Sequence, residues 1–460
     1  MVSPSSARQP NEALRSTIQA SGLTYEALAR RVRLIATENG DSARTNSAAV
    51  AHWVKGTPPK PTTALFLAEA LSRKMGRFVT LAEIGLTTTK DPNPDDAFAD
   101  DPVTSLAHLG RADVDRRRFL NSAVYSLSAL TLPLGPATVG AAERNRVART
   151  GGTIGAAEVD TVREVTAVFN RADERLGGNA SRSAVVEYLS TDIVAYCQGN
   201  FASDTVRRDM FGAAAELAYL AGWKAHDAGR AGLAQRYYLH AFRLAEEADP
   251  QAHAGYVLRI LAHQAFDNGY HDHCVDLAEA ALSRVRGYVD AETESLFWLT
   301  LARAQAFEGD RRTSLDAICH AEALMNAARD DEPPRWASLG GPAEARLANQ
   351  TAKALAAMGD MSAAEGKYRH ASQCWNPTTH PRIYALTLAD LGSAQLAQGY
   401  LDAACATWTT ALEWMDGVNS ARARDAVADI RSDLSAFRTR GVTSAKLMDE
   451  RARRWQAANA

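Results

Sequence analysis

The sequence predicts an all-α fold: a small basic helical unit followed by a long acidic α-solenoid. Three observations predict it. From Gly229 onward, five glycine turns recur at a near-constant interval, each followed by the same pattern of small and large side chains. Capped, amphipathic helix patterns fill the first 87 residues. The formal net charge of −3 is divided unevenly: residues 1–87 hold eleven Lys/Arg against six Asp/Glu, so +5 there leaves −8 for the remainder. At 460 residues, with 46% apolar and 23% charged side chains, the chain is long enough for more than one domain.

The first unit is set at residues 1–87 and opens with the helix "NEALRSTIQASG". In "LTYEALARRV", Leu23 to Val32, Thr24 stands at the N-cap and Leu28, Ala29 and Val32 give one apolar face. "NSAAVAHWVKGTPPKP", Asn46 to Pro61, starts on Asn46 as a cap, places Val50 and Trp53 on one face, and is ended by Gly56 and the prolines. The helix "TTALFLAEALSRKMG" closes the unit. With Val50 and Trp53 turned to the core, Ser47, Ala48, Ala51, His52 and Lys55 are left outside, and small or polar residues let a helix backbone approach the major groove. Arg44, Lys55 and Lys60 flank that side and suit phosphates, while the helix capped by Thr24 points backbone donors at a further one.

These residues, Leu28-Ala29, Asn46, Val50, Trp53 and Gly56, then Pro59 or Pro61 and the stripe Leu65, Leu67, Ala70 and Leu71, resemble the lambda-repressor and Cro type of helix-turn-helix domain. The resemblance covers about a fifth of the chain. It departs from the type at "RLIATENGDSAR", which lengthens the link between the two central helices by about eleven residues. Either the second helix is extended, or the loop is enlarged.

"TTTKDPNPDDAFADDP", Thr87 to Pro102, holds five aspartates and three prolines, so an acidic flexible linker is expected over 88–115. A connecting helix and linker are expected over 116–150. The stretch "DRRRFLNSAVYSLSALTLPLG", Asp115 to Gly135, has the paired arginines and apolar run of a twin-arginine export signal. Such signals are read at the N-terminus and this one follows more than a hundred residues, so Phe119, Val124, Leu127 and Leu130 are expected instead on a helix that packs on the solenoid or on a second subunit. No apolar stretch reaches the roughly 20 residues of a membrane-spanning helix. A cytoplasmic protein is expected.

The remaining residues, 151–460, carry the repeats. Gly229, Gly269, Gly309, Gly359 and Gly399 stand 40, 40, 50 and 40 residues apart. At fixed offsets follow Ala234, Tyr238 and Ala241, then Cys274, Ala278 and Ala281, Ser314, Ile318 and Ala321, Ala364, Tyr368 and Ala371, and Ala404, Trp408 and Ala411. The pattern resembles a tetratricopeptide array with helices longer than its usual period of about 34 residues. "REVTAVFNRADERLGG" and "RSAVVEYLSTDIVAYC" are expected to open the array, and "ARARDAVADIRSDLSAFRTR" with "SAKLMDERARRWQAANA" to cap it.

Counting back from the glycines places Glu216, His226, Tyr256 and Phe266 on the inner face with Tyr219, Trp223, Arg259, His263, Arg303, Arg346, Asn349 and Lys353. The last eight form the expected effector groove, cations interleaved with aromatics that suit a peptide or a small acidic molecule. An ordinary wet helix face is the plainer reading of any one of them.

Catalytic signatures are missing: there is no phosphate-cradling glycine loop, nucleophile elbow or His-Glu-x-x-His helix, so neither an enzyme nor a cofactor is expected. The five cysteines form no Cys-x-x-Cys pair and read as small buried residues in a reducing compartment. His271, His273 and Cys274 in "YHDHC" fall on an expected turn without a fourth ligand, so no metal is expected either.

Taken whole, the chain resembles the actinobacterial helix-turn-helix regulators with a C-terminal tetratricopeptide domain, several of which control differentiation and antibiotic production. More distantly it resembles peptide-sensing quorum regulators with the same domain order. The resemblance implies a cytoplasmic, sequence-specific transcription factor that binds double-stranded DNA, forms a homodimer through its repeats and can take a peptide or small-molecule effector. The alternative is an interaction scaffold whose N-terminal helices dock a protein.

Overall fold

The computed structural model describes residues 9–38, 41, 43–86, 101–114, 153–270, 273–327 and 332–459. Asp115 to Gly135, the rest of the expected connecting segment to residue 150, and His271 lie outside the described residues. The fold is all-α. Among the described residues its only β structure is a two-residue parallel pair, Thr153–Ile154 with Asn200–Phe201.

Asn11 ties together the two ends of the first unit. Its Oδ1 accepts from the Leu14 amide (2.9 Å) and caps α1 (Glu12–Ser21), while its Nδ2 donates to the Ile84 carbonyl (2.9 Å). Next come α2 (Tyr25–Glu38), α3 (Ser47–Val54) and α4 (Pro61–Met75). Leu14, Ile18, Leu28, Val32, Val50, Trp53, Phe66 and Leu71 share one core. Of the two alternatives for the long link, helix extension accounts for its first half: α2 runs on through buried Ile35 and Ala36 to Glu38. Arg33 Nη1, on that extension, donates to the Thr45 carbonyl and holds the chain ahead of α3 against α2.

The end of the expected acidic linker is a helix instead, α5 (Pro102–Val114). Asp101 Oδ2 accepts from the Thr104 amide (3.0 Å) and Pro102 occupies the first turn, so the Asp-Pro pair that reads as linker composition is a helix start. Val103, Leu106 and Leu109 join the solenoid core. Asp113, near the helix end, pairs with Arg182 and accepts from the Tyr237 hydroxyl (2.9 Å).

Next, α6 (Ala156–Leu176) pairs with a broken second helix, α7 (Arg182–Tyr188), a π turn at Leu189–Ile193 and α8 (Val194–Cys197). Five hairpins follow: α9 (Asp204–Asp227) with α10 (Ala231–Ala248), α11 (Ala252–Asp267) with α12 (Cys274–Val285), and α13 (Ala291–Glu308) with α14 (Arg311–Ala327). After the short α15 (Arg335–Ser338) come α16 (Ala343–Ala357) with α17 (Met361–Cys374), and α18 (Pro381–Ala397) with α19 (Leu401–Met415). The chain ends on α20 (Ala421–Asp433), α21 (Ser435–Thr439) and α22 (Thr443–Ala458).

All five hairpins turn the same way. Each turn glycine has φ between 72° and 88°, the left-handed region in which a side chain would be strained. The amide after it reaches back five residues: Arg230 to Ala225 (2.8 Å), Tyr270 to Ala265 (2.9 Å), Asp310 to Gln305 (2.9 Å), Asp360 to Leu355 (3.0 Å) and Tyr400 to Gln395 (3.0 Å). The fifteen fixed-offset residues, from Ala234 to Ala411, are all buried. Seven residues before the turn glycine the partner helix carries Gly222, Ala262, Ala302, Ala352 or Gly392. The two glycines face the bulky rings: a Cβ on Gly222 would lie 2.6 Å from Tyr238 Cδ1, and one on Gly392 2.4 Å from Trp408 Nε1.

The array closes on itself. Arg382, at the start of α18, is buried and donates through Nη2 to Asp173 Oδ2 (2.8 Å) and Glu174 Oε1 (3.1 Å) of α6, and its Nη1 lies 3.2 Å from Asp227 Oδ2 of α9. Lys224 Nζ fills the other side of Asp173 (3.1 Å), and Ser420 Oγ donates to Asp227 Oδ1 (2.8 Å). Burial disfavours these charges, yet the three carboxylates hold the Arg382 guanidinium well above its ordinary pKa, and Arg382 with Arg422 holds Asp227 below its own.

Candidate functional site

The α3 face is built by its cap and its core anchors. Asn46 Oδ1 accepts from the Ala49 amide (2.9 Å), and Val50, Trp53 and Val54 are buried. The helix is thereby fixed with Ala48, His52 and Lys55 exposed and Ser47 and Ala51 half-buried, positions that share one face at spacings of three and four residues. Arg44 precedes the helix and Lys60 follows it, both exposed. Thr24 is exposed at the start of α2, where Oγ1 accepts from the Ala27 amide (3.2 Å). None of Arg44, Lys55 and Lys60 makes an ion pair with a described residue, in contrast to Arg73, which bridges Glu69 and Glu38. Arg30 and Arg31, on the exposed side of α2, are equally unpaired among the described residues.

The eight inner-face residues come together, but not as an open groove. Tyr219, Arg259, Arg303 and Asn349 are buried and Trp223, His263, Arg346 and Lys353 half-buried. Most of their polar atoms are spent on neighbours: Arg259 Nε donates to the Leu296 carbonyl (3.2 Å), Arg303 Nη2 to Asp267 (3.0 Å), Asn349 Nδ2 to Thr387 Oγ1 (2.9 Å), and Lys353 Nζ lies 3.5 Å from Asp390. His263 Nε2 is 3.0 Å from Thr300 Oγ1, Arg346 packs against Gly340, and the Trp223 ring lies near the guanidinium groups of Arg382 (5.9 Å) and Arg422 (5.3 Å). Tyr219 meets Tyr256 edge-on at 5.8 Å. Burial lowers the pKa of Arg259 to about 10, and burial beside Arg259 and Arg303 drives His263 well below the usual histidine range. Packing between neighbouring repeats explains the difference from the expected groove, because Leu296, Thr300, Thr387 and Asp390 of the next repeats meet the polar atoms that were to face a ligand.

Residues 14–87 match a family model, the SP15 N-terminal domain. The match runs from α1 past α4 and so coincides with the first helical unit. No curated protein matches the chain.

Two further features escaped the sequence. Arg163, Arg208, Glu216, His253, Arg335 and Trp336 line a cleft of about 300 Å³ among α6, α9, α11 and α15. Only Glu216 was placed on the inner face by its offset. For Arg335 and Trp336 the signal lies in the 50-residue interval from Gly309 to Gly359, whose extra length carries α15; Arg163, Arg208 and His253 have no such signal. The second feature links the two parts of the chain: the Tyr270 hydroxyl donates to Glu38 Oε2 (3.2 Å), the Arg73 guanidinium lies over the Tyr270 ring (5.5 Å), and Phe78 packs on the solenoid core. That contact uses the ends of α2 and α4, not α3. Cys274 is buried with Sγ 3.0 Å from the Tyr270 carbonyl, and His273 Nδ1 is 3.4 Å from Asp276. Elsewhere, on α16 and α17, Glu344, His370 and Cys374 bring three potential metal ligands within 4.8 Å of one another.

Among the described residues, no helix is long and apolar enough to cross a membrane.

Proposed function

We propose that the chain is a sequence-specific, DNA-binding transcriptional regulator whose tetratricopeptide-like repeats form a homodimer and take up a small effector. The observation that carries the reading is the α3 face: small and polar residues outward, Val50 and Trp53 locked inward, and cations on both flanks with no acidic partner among the described residues. Unpaired cations beside a helix of low side-chain bulk suit a phosphate backbone with base edges between. The contact through Tyr270 supports the same reading, since it leaves that face clear of the solenoid. Dimerisation would match two such helices to a two-fold symmetric site.

The test is binding of the purified full chain to its own promoter region against random DNA across a salt series. Preference for the promoter is expected, with Lys55→Ala lowering the salt slope by about 1 and weakening all sequences alike. Charge reversal at Arg44 and Lys55 together should abolish promoter binding with the fold intact by circular dichroism. Equal affinity for promoter and random DNA would replace this reading with that of a protein-docking scaffold.

A further inference from the structure

The cleft beside α15 differs from the filled inner face in having polar groups left over. Glu216, at its floor, is 6% exposed and makes no hydrogen bond or ion pair with a described residue. Its carboxyl oxygens are not among the sealed polar atoms, so they open to the cleft, where a ligand can meet them. At the mouth, Arg208 and Arg335 are exposed and unpaired among the described residues. The acidic groups nearby are already engaged: Asp209 Oδ1 is 3.0 Å from Arg163 Nη2, and Asp249 Oδ1 accepts from the amides of Gln251 (3.1 Å) and Ala252 (3.0 Å) at the start of α11. His253 supplies no charge near neutral pH, because burial lowers its pKa to about 4.

The wall comes from the irregular repeat. Trp336 of α15 stacks on His253 at 5.7 Å with the rings 8° apart, and packs on Tyr256 at 5.1 Å. An insertion confined to one repeat that folds over the array and forms one side of a cleft is how repeat proteins commonly build a binding face. The volume of about 300 Å³ lies at the lower limit for small-molecule pockets, too small for a folded partner.

We propose that this cleft binds a small amino-acid-like zwitterion, its carboxylate held by Arg335 and Arg208 at the mouth and its ammonium by Glu216 at the floor. A dianion would bring a second carboxylate to the Glu216 end with no cation there to pair with, and a simple amine would meet the arginines. One molecule with both groups satisfies each in turn. The proposal rests on the effector part of the regulator reading and names its ligand class; ligand binding is measured without DNA and promoter binding without ligand, so either can fail alone.

The experiment is calorimetric titration of the full chain with each free amino acid, with glycine-initiated dipeptides, with succinate as a carboxylate without an amine, and with 1,4-diaminobutane as an amine without a carboxylate. At least one amino acid or dipeptide is expected to bind saturably and at least tenfold more tightly than either control. A dipeptide preference would assign the zwitterion to a short peptide, and a free amino-acid preference to a metabolite. Glu216→Gln and Arg335→Ala should each weaken binding tenfold or more. Gly212→Leu provides a variant that fills the cleft: its Cβ meets only Ala248 Cβ at 3.7 Å and His253 Nδ1 at 3.9 Å, ordinary contacts, and its melting temperature reports whether the fold is kept. It should melt like the parent and bind nothing. Absence of saturable binding by every zwitterion, tighter binding of succinate, or binding that survives Gly212→Leu would overturn the proposal.

Discussion

Burial raises the Glu216 carboxyl from an ordinary 4.5 to about 7, against the opposing pull of Arg335 and Arg163. The consequence for stability has a definite sign. Between pH 4.5 and about 7 the folded state keeps a proton that the unfolded state has released, so folding is penalised increasingly as pH rises through that window and fully above it. Below pH 4.5 both states are protonated and the penalty vanishes. Glu216→Gln removes it. The variant should therefore gain on the parent by roughly 2–3 kcal/mol between pH 4.5 and pH 8, at about 1.4 kcal/mol per unit, measured as the difference between urea-unfolding free energies. His253 loses stability in the opposite direction, as pH falls from 6.5 toward 4, but it is present in both proteins and drops out of the difference. A gap that widens on acidification would mean that Glu216 is ionised in the folded protein at pH 5. Offset from Gly229 places this residue on the inner face; the cleft it lines depends on α15, whose position no local pattern reports.

At the scale of elements, helix pairing was readable because close packing leaves a mark on composition. A helix crossing that admits only Ala, Cys or Ser at fixed distances from a turn glycine repeats those residues, and ten of the buried fifteen, those five and twelve residues after the glycine, are the result; the position nine after it takes the larger side chains in four of five hairpins. The reciprocal small positions extend that rule: Gly392 exists because Trp408 lies across it, its indole Nε1 donating to the Ala389 carbonyl at 3.0 Å. Gly392→Ala should cost about 1–3 kcal/mol by overpacking, against the gain of up to about 1 kcal/mol that Ala normally brings to a helix. In a Trp408→Ile background, which copies the Ala302 and Ile318 pairing of the third hairpin, the cost should shrink or reverse. A double-mutant cycle by chemical denaturation measures it. The same kind of reading missed α5, where aspartates and prolines suggested a solvated chain. There Asp101 and Pro102 are the cap and first turn of a helix, and Leu106 and Leu109 carry too short an apolar signal to outweigh the composition before them. The α3 face was legible for a related reason: Asn46, Val50 and Trp53 fix its rotation locally, and the exposed residues follow from them.

The molecule as a whole depends on contacts that no periodicity encodes. Arg382 meets Asp173 across 209 residues of sequence, and the Asn419 amide donates to the Leu176 carbonyl at 2.9 Å, so the start of the solenoid is bonded to its end. A helical array without this closure would be stabilised by neighbours alone and would offer an open inner face. With it, Asp173, Lys224 and Asp227 become interior residues. Arg382 is the centre of the junction, because it touches Asp173, Glu174 and Asp227 at once while only 2% exposed. Replacing it by Met keeps much of the volume and leaves Asp173 and Asp227 buried with less compensation, since Lys224 and Ser420 each reach only one of them. The loss should be about 3–5 kcal/mol, the range for breaking one side of a buried ion pair. Arg454→Ala, which removes an exposed pair with Glu450 one helical turn away, should cost no more than about 0.5 kcal/mol and serves as the control. The location of the damage separates closure from general destabilisation: hydrogen exchange in Arg382→Met should quicken first in α6 and α18 while the turn amides at Gly269 and Gly309 stay protected, and small-angle scattering should report a larger radius of gyration. Uniform loss of protection across all five hairpins, with no expansion, would show instead that the ion cluster stabilises its own surroundings without holding the ends of the array together.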